Sequence, residues 1–251
     1  EMILEAQREA LERERLKKEQ KKSKQPFPKW VFWIIALAMF FNVLALFPET
    51  FSIPVIDFLK TSAKLSLDED VSTYKKSVVV IETPNSRGTG FSFTEDGTIL
   101  TNDHVVRGYD KVTIAFPEEG LFTGEVVERY PEVDLAVVDV DGENMPHLQL
   151  AEQLTFEENE PIRFIGNPLR FHGIANEGNI IHFTNLKSWD DPVVMIEAPV
   201  YRGNSGSPII NKKGEVIGVI FATLQTDNYG KVGLFVPIDY FYHKSDRKPG
   251  V

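Results

Sequence analysis

Cysteine is absent from all 251 residues. That excludes a disulfide framework, a thiolate metal site and a cysteine nucleophile, although exported proteins can fold without disulfides. Histidine is scarce, with five in the chain. His147, His172, His182 and His243 fall in no metal-ligand spacing, so no metal site is expected and they read as structural or exposed. Basic charge is short where a nucleic-acid footprint would need it. The chain carries a net charge of −10, and residues 49–251 hold 18 Lys+Arg against 31 Asp+Glu. A nucleic-acid partner is therefore not expected; the acidity reads as solubility. Also missing, between Ser77 and Ile238, is any long helical period, which argues against an α/β fold.

What the N-terminal third does contain is apolar length. Trp30–Phe47 reads WVFWIIALAMFFNVLALF, free of charge and with Asn42 as its one polar side chain. About 18 such residues mark a transmembrane candidate, and Trp30 and Trp33 stand where interfacial aromatics are expected. A cleaved signal peptide has a shorter apolar run followed by small residues; here FPETF follows, so an uncleaved anchor over 30–48 is the preferred reading. Lys17, Lys18, Lys21, Lys22, Lys24 and Lys29 precede the run. By the positive-inside rule the charged segment 1–29 is then cytoplasmic and residues 49–251 lie outside. Residues 2–22 are rich in helix formers with i,i+4 charge pairs. Residues 49–74 read as a linker with a short helix near Val55–Ser66.

From about residue 75 the pattern changes to short β-rich runs such as SVVVIE, KVTIAF, LAVVDV, IRFIG and EVIGVIFATL, with EDG and KKG as hairpin turns. The expectation is an all-β sandwich or barrel. No internal repeat is visible. The domain boundaries read 75–155 and 156–251.

Three segments carry chemistry. Ser205 lies in Arg202-Gly203-Asn204-Ser205-Gly206-Ser207-Pro208, where flanking glycines permit a tight turn. Such a turn can aim the backbone N–H groups of Gly203 and Ser205, with Asn204 a further donor, at a developing oxyanion. A serine hydroxyl needs an adjacent base; His104, at the end of the run GTILTN, supplies one. The histidine needs a carboxylate to orient it, and Asp134, heading LAVVDV, is the best placed. Each piece alone is a common structural feature. Their order His, Asp, Ser is that of trypsin-like enzymes.

The segments SRGTGFSFTEDGTILTNDHVV, DLAVVDV, IRFIGNP and RGNSGSPIINKKGEVIGV resemble the HtrA/Deg branch of the trypsin-like serine proteases, over about residues 75–240. The resemblance implies two six-stranded antiparallel β-barrels, His104 and Asp134 on the first, Ser205 on the second, and no cofactor. It implies a polypeptide substrate paired as an added strand with Phe221-Ala222-Thr223. Pro199, Val200 and Leu234 would line the pocket for the side chain before the scissile bond, favouring small or medium apolar residues. It also implies a role in protein quality control and a possible trimer. Three positions depart from the pattern. Asp103 precedes the histidine where a neutral residue is usual, and reads as solvent-facing. Ser207 replaces the second glycine of GNSGGP. Asn204 cannot make the ion pair by which digestive relatives are activated. Relatives of this branch usually continue into a PDZ domain that these 251 residues do not include, so PDZ-directed regulation is expected only if the sequence is a fragment of a longer protein. Rival readings are an inactive peptide-binding relative, an α/β-hydrolase with a G-x-S-x-G elbow, and a structural anchor.

Overall fold

The computed structural model describes residues 2–22, 28–50, 53–187, 189–245 and 247, with backbone only for 2–4, 19–22, 42–50, 53–56 and 170. It divides into two units, residues 1–53 and 54–251.

The first unit holds α1 (Met2–Lys22) and α2 (Lys29–Thr50). On α2 the side chains of Trp30, Phe32, Trp33, Ile34, Ile35, Leu37, Met39, Phe40 and Phe41 are exposed. Among the described residues no helix is long and apolar enough to cross a membrane. The expected transmembrane helix is thus not supported: the rest of its run, from Asn42 to Phe47, lies outside the residues whose side chains are described.

The second unit opens with α3 (Ile53–Leu65) and α4 (Glu69–Ser77), so the stretch read as a linker is largely helical. Asp68 caps α4, accepting from the N–H of Asp70 at 3.0 Å, and pairs with Arg163 at 2.9 Å. An acidic N-cap satisfies N–H groups that a helix start leaves unpaired.

Among the described residues twelve strands follow. The first six are β1 (Val78–Glu82), β2 (Arg87–Ser92), β3 (Ile99–Thr101), β4 (Lys111–Phe116), β5 (Gly120–Tyr130) and β6 (Leu135–Asp139). They close into an antiparallel barrel ordered β1-β2-β3-β6-β5-β4. The next six are β7 (Pro161–Gly166), β8 (Ile174–Thr184), β9 (Val193–Glu197), β10 (Pro208–Ile210), β11 (Val216–Thr226) and β12 (Gly230–Pro237). They close a second barrel ordered β7-β8-β9-β12-β11-β10. The two orders are the same, a structural repeat that the sequence does not display. The all-β expectation, narrowed by resemblance to paired barrels, holds for this unit.

Period-2 alternation puts Val112, Ile114 and Phe116 of β4 inside the first barrel. Phe91, Phe164 and Phe235 are fully buried, each contributing roughly 1.5–3 kcal/mol by leaving water. The short helix α6 (Ile238–Lys244) follows β12 directly. Its buried Phe241 meets Phe93 of the first barrel edge-on at 5.6 Å, so the end of the second barrel's chain reaches back over the first.

Candidate active site

His104 is set by a strand that runs straight into one helical turn. Thr101, the last residue of β3, pairs with Ala136 of β6, and α5 (Asp103–Val106) begins two residues later. On the β6 side a 3-10 turn, Pro131–Val133, delivers Asp134 in the left-handed region at φ 49°, which Asp tolerates better than most residues. The two chain turns are then laced together. Asn102 Nδ2 and the N–H of Asp103 both donate to the carbonyl of Asp134, at 2.9 and 3.2 Å. The Asp134 carboxylate accepts the backbone N–H of His104 at 2.9 Å on Oδ1 and approaches His104 Nδ1 at 2.6 Å with Oδ2. An ionised carboxylate only accepts, so Nδ1 is the donor in this contact. The Asp134 side chain is 12% exposed and the imidazole 37%: the ring reaches solvent while the carboxylate beside it is largely covered.

Asp103 does not face solvent, as its place in the sequence suggested. Its carboxylate is 3% exposed and lies between two arginines, Arg107 at 2.9 Å and Arg129 at 3.3 Å. Arg129 also donates to the carbonyl of Tyr109 at 2.5 Å. A charge removed from water needs partners, and these explain why an acid is tolerated there. Arg107 in turn comes within 4.0 Å of Asp134 Oδ1, so a cation flanks the His104–Asp134 pair.

Ser205 lies between β9 and β10, in a loop whose shape glycine makes possible. Gly203 has φ 101° and Gly206 φ 86°. A Cβ on Gly206 would stand 1.8 Å from the carbonyl oxygen of Thr89. Thr89, in the Gly88-Thr89-Gly90 run of β2, fastens the loop to the first barrel. Its Oγ1 donates to Gly203 O at 2.7 Å, and its N–H donates to Ser205 O at 2.9 Å. Asn167 completes the tie: its N–H donates to Thr89 Oγ1 at 3.0 Å, its Nδ2 donates to Val79 O at 2.9 Å, and its Oδ1 accepts from Gly173 N. Thr89 is not singled out in the sequence, and Asn167-Pro168 reads there only as a turn of the GNP run, without chemistry. The glycines around Thr89 and the GNP run were the available signals, but their meaning depends on two barrels meeting.

Among the described residues, the N–H groups of Gly203 and Ser205 have no acceptor, while that of Asn204 is given to Tyr201 O at 3.1 Å. The backbone N–H of Asn204 is therefore already engaged, while its side-chain amide has no hydrogen-bond partner among the described residues. Its side chain is buried, in the space where a Cβ on Gly166 would meet both Asn204 Oδ1 and Ser207 Oγ. The Ser205 hydroxyl donates to Phe221 O at 3.4 Å, and no hydrogen bond joins it to His104. Both nonetheless line one cleft of about 1070 Å³, together with Gly203, Arg87, His172 and Arg202. Arg87 approaches Glu82 at 3.0 Å as a charge contact rather than an aligned hydrogen bond. A second cavity of about 640 Å³, beside α4 and β7, is lined by Asp68, Tyr74 and Arg163 among others and holds none of these groups.

The expected substrate-contacting residues are placed unevenly. Val200 and Leu234 are buried, at 6% and 2% exposure; Val200 joins the main core, whereas Leu234 sits in a separate cluster with Met195 and Val232, against which Phe221 and Ala222 pack. Pro199 is half-buried. Phe221 sits at a bulge in β11, stacked on Trp189 with centroids 4.6 Å apart. Ala222 and Thr223 pair with Leu234 and Gly233 of β12. None of the six lines the 1070 Å³ cleft. On its other side β11 pairs with β10 only over Val216–Val219, which leaves the backbone of Phe221–Thr223 without a strand partner on that edge.

Two barrels of like order, a histidine–aspartate pair on one and a glycine-bounded serine loop on the other, define the trypsin-like class of fold. The trypsin-like peptidase domain family matches residues 88–219, more than half of the chain, and the chain belongs to that family. Its relatives are DegP/HtrA-like serine proteases. A probable periplasmic serine endoprotease, DegP-like, of Pseudomonas putida is 32% identical over 158 residues, covering 61% of this chain and 33% of the relative. Its counterpart in Halomonas elongata is 32% identical over 170 residues, covering 66% and 36%. The putative serine protease HhoB of Synechocystis sp. is 34% identical over 158 residues, covering 60% and 37%. The chain thus spans about a third of the length of these curated relatives. Among solved structures, Rv3671c of M. tuberculosis in its inactive form has a TM-score of 0.62 at 26% identity, covering 71% of this chain and 90% of that one. An HtrA-type protease solved with a tripeptide has a TM-score of 0.63 at 24% identity, covering 69% and 60%, a likeness of fold.

Proposed function

We propose that this chain is a serine endopeptidase that cleaves extended or unfolded polypeptides through an acyl-enzyme. The observation that carries it is the His104 Nδ1–Asp134 Oδ2 contact of 2.6 Å on the cleft that Ser205 also lines. Ser205 Oγ turns from Phe221 O to His104 Nε2 and attacks the peptide carbonyl as the imidazole takes its proton. Asp134 holds the tautomer and stabilises the imidazolium. The N–H groups of Gly203 and Ser205 receive the oxyanion, each worth about 10²–10³ in rate in comparable sites. His104 then protonates the leaving amine, and later activates the water that frees Ser205. The unpaired edge at Phe221–Thr223 suits a substrate bound as an added strand. Cleavage of denatured casein by the full chain, with Ser205→Ala beside it, tests the reading. Turnover and fluorophosphonate labelling by the wild type alone support it; a folded wild type that neither cleaves nor labels refutes it and favours a peptide-binding relative.

The finer part of the proposal is that α2 holds the enzyme at a membrane with the barrels outside. Its support is the ring of exposed aromatic and aliphatic side chains from Trp30 to Phe41, a helix surface that water solvates poorly, and the relatives named as periplasmic. Flotation with anionic vesicles checks it: the full chain should float, and residues 54–251 should stay at the bottom.

A further inference from the structure

We infer that α3, the helix ahead of the first barrel, sets the shape of the oxyanion loop, with Phe58 as its positioning residue. The inference rests on the serine-peptidase reading above and names what holds that site in register.

The sequence of α3 puts Phe58, Ser62 and Leu65 on one face, at i, i+4 and i+7. All three are buried, at 2%, 4% and 7% exposure. The face lies against a half-covered strand. Over Ile174–Gly178, β8 pairs with β7 but not with β9, whose register starts at Asn179. Strand backbone left open in this way is normally covered by something. Here α3 does so: Ala175 N donates to Ser62 Oγ at 3.1 Å, and buried Asn176 donates from Nδ2 to Phe58 O at 3.2 Å. The helix is thus pinned at two points, and the Phe58 ring is not free to wander.

That ring meets Tyr201 edge-on, with centroids 4.9 Å apart at 77°, a favourable aromatic geometry. Lys231 Nζ lies 5.8 Å from the centroid of the same tyrosine ring. Tyr201 opens the turn that ends at Asn204, its carbonyl accepting the Asn204 N–H at 3.1 Å. The peptide between Arg202 and Gly203 lies inside this turn, and Gly203 N–H belongs to it. Its other ties are Leu169 N to Arg202 O at 3.1 Å and Thr89 Oγ1 to Gly203 O at 2.7 Å. Glycine resists rotation little, so the direction of that N–H depends on the turn being held at both ends. Thr89 holds the Gly203 end; Phe58 holds the Tyr201 end.

The test is a set of full-length variants assayed on one peptide substrate and with one peptide boronate, whose tetrahedral adduct needs the oxyanion donors. Phe58→Ala should lower kcat about 10- to 100-fold, the scale of a misplaced donor, with KM within about twofold. Boronate affinity should fall by the same factor. Ser62→Ala removes one of the helix's two pins without touching either ring and should lower kcat less than Phe58→Ala does. Tyr201→Phe keeps the ring and should keep kcat. Phe58→Leu, which fills the site without an aromatic edge, should fall between. Each variant is checked for a wild-type thermal transition, and rates are expressed per folded, fluorophosphonate-reactive molecule. Wild-type kcat in folded Phe58→Ala overturns the inference, as does a loss confined to KM. So does an equal loss in Ser62→Ala, which would mark α3 as ordinary packing. If Phe58→Ala does not fold, Phe58→Leu with wild-type kcat and boronate affinity overturns it. A wild type without turnover would instead sink the peptidase reading itself.

Discussion

Asp103 holds Arg107 and Arg129 at once while almost wholly removed from water. Asp103 is buried, but Arg129 is 29% and Arg107 64% exposed; removing the carboxylate strips a partner from half-buried Arg129 and leaves Arg107 in water, at about 1–2 kcal/mol. Asp103→Asn should therefore destabilise the fold by about 1–2 kcal/mol in urea titration. It should also shift the pH–kcat profile, because Arg107 beside Asp134 is no longer held. Gly206 is constrained differently. With φ at 86° and backbone 1.8 Å from its missing Cβ, Gly206→Ala must displace Thr89 or the loop, at about 3 kcal/mol or more. Loss of fluorophosphonate labelling before loss of secondary structure is the expected sign. Of these two, the glycine was legible in the sequence as a turn residue, while the aspartate was not. A charge next to a motif reads as solvated until its partners, 4 and 26 positions away along the chain, are known to fold over it.

At the scale of elements, β2 and the loop after β9 form a joint between the barrels, and Thr89 is its pin. Thr89→Val keeps the shape but leaves Gly203 O and the N–H of buried Asn167 without their partner. Orphaned buried groups cost about 1–3 kcal/mol each. The variant should unfold at lower urea and lose kcat more than KM, measured on one peptide. Strand existence and type were readable from period and β-branched content, and so was the helix near Val55–Ser66. The match of strand order between the barrels was not, since topology depends on pairings whose residues share no sequence signature. The burial of Val200 and Leu234 was also hidden: apolar residues flanking a reactive loop look alike in sequence whether exposed or packed. The hairpin between β2 and β3 carries a pH dependence. Hydrogen bonds from Thr94 first, and then from Thr98, hold Asp96 below the ordinary aspartate value of 3.8. A depressed folded value means stability that is complete above that pH and lost as acid protonates the carboxylate in the fold. Asp96→Asn should lower thermal stability at pH 7, where the carboxylate's hydrogen bonds are fully present, and flatten its further fall below about pH 4.

For the whole molecule, the separation into residues 1–53 and 54–251 predicts that the larger unit melts with the same transition whether or not the smaller is attached. Calorimetry on both forms checks this. Each barrel, meanwhile, is a ring: β1 bonds β4 as well as β2, and β7 bonds β10 as well as β8. A ring of strands offers no terminal seam from which peeling can begin, and without cysteine no crosslink does that work. Amide protons in Val79–Ile81 and Ile162–Ile165 should then exchange only through concerted opening of an entire barrel, at one shared rate that reducing agent leaves untouched.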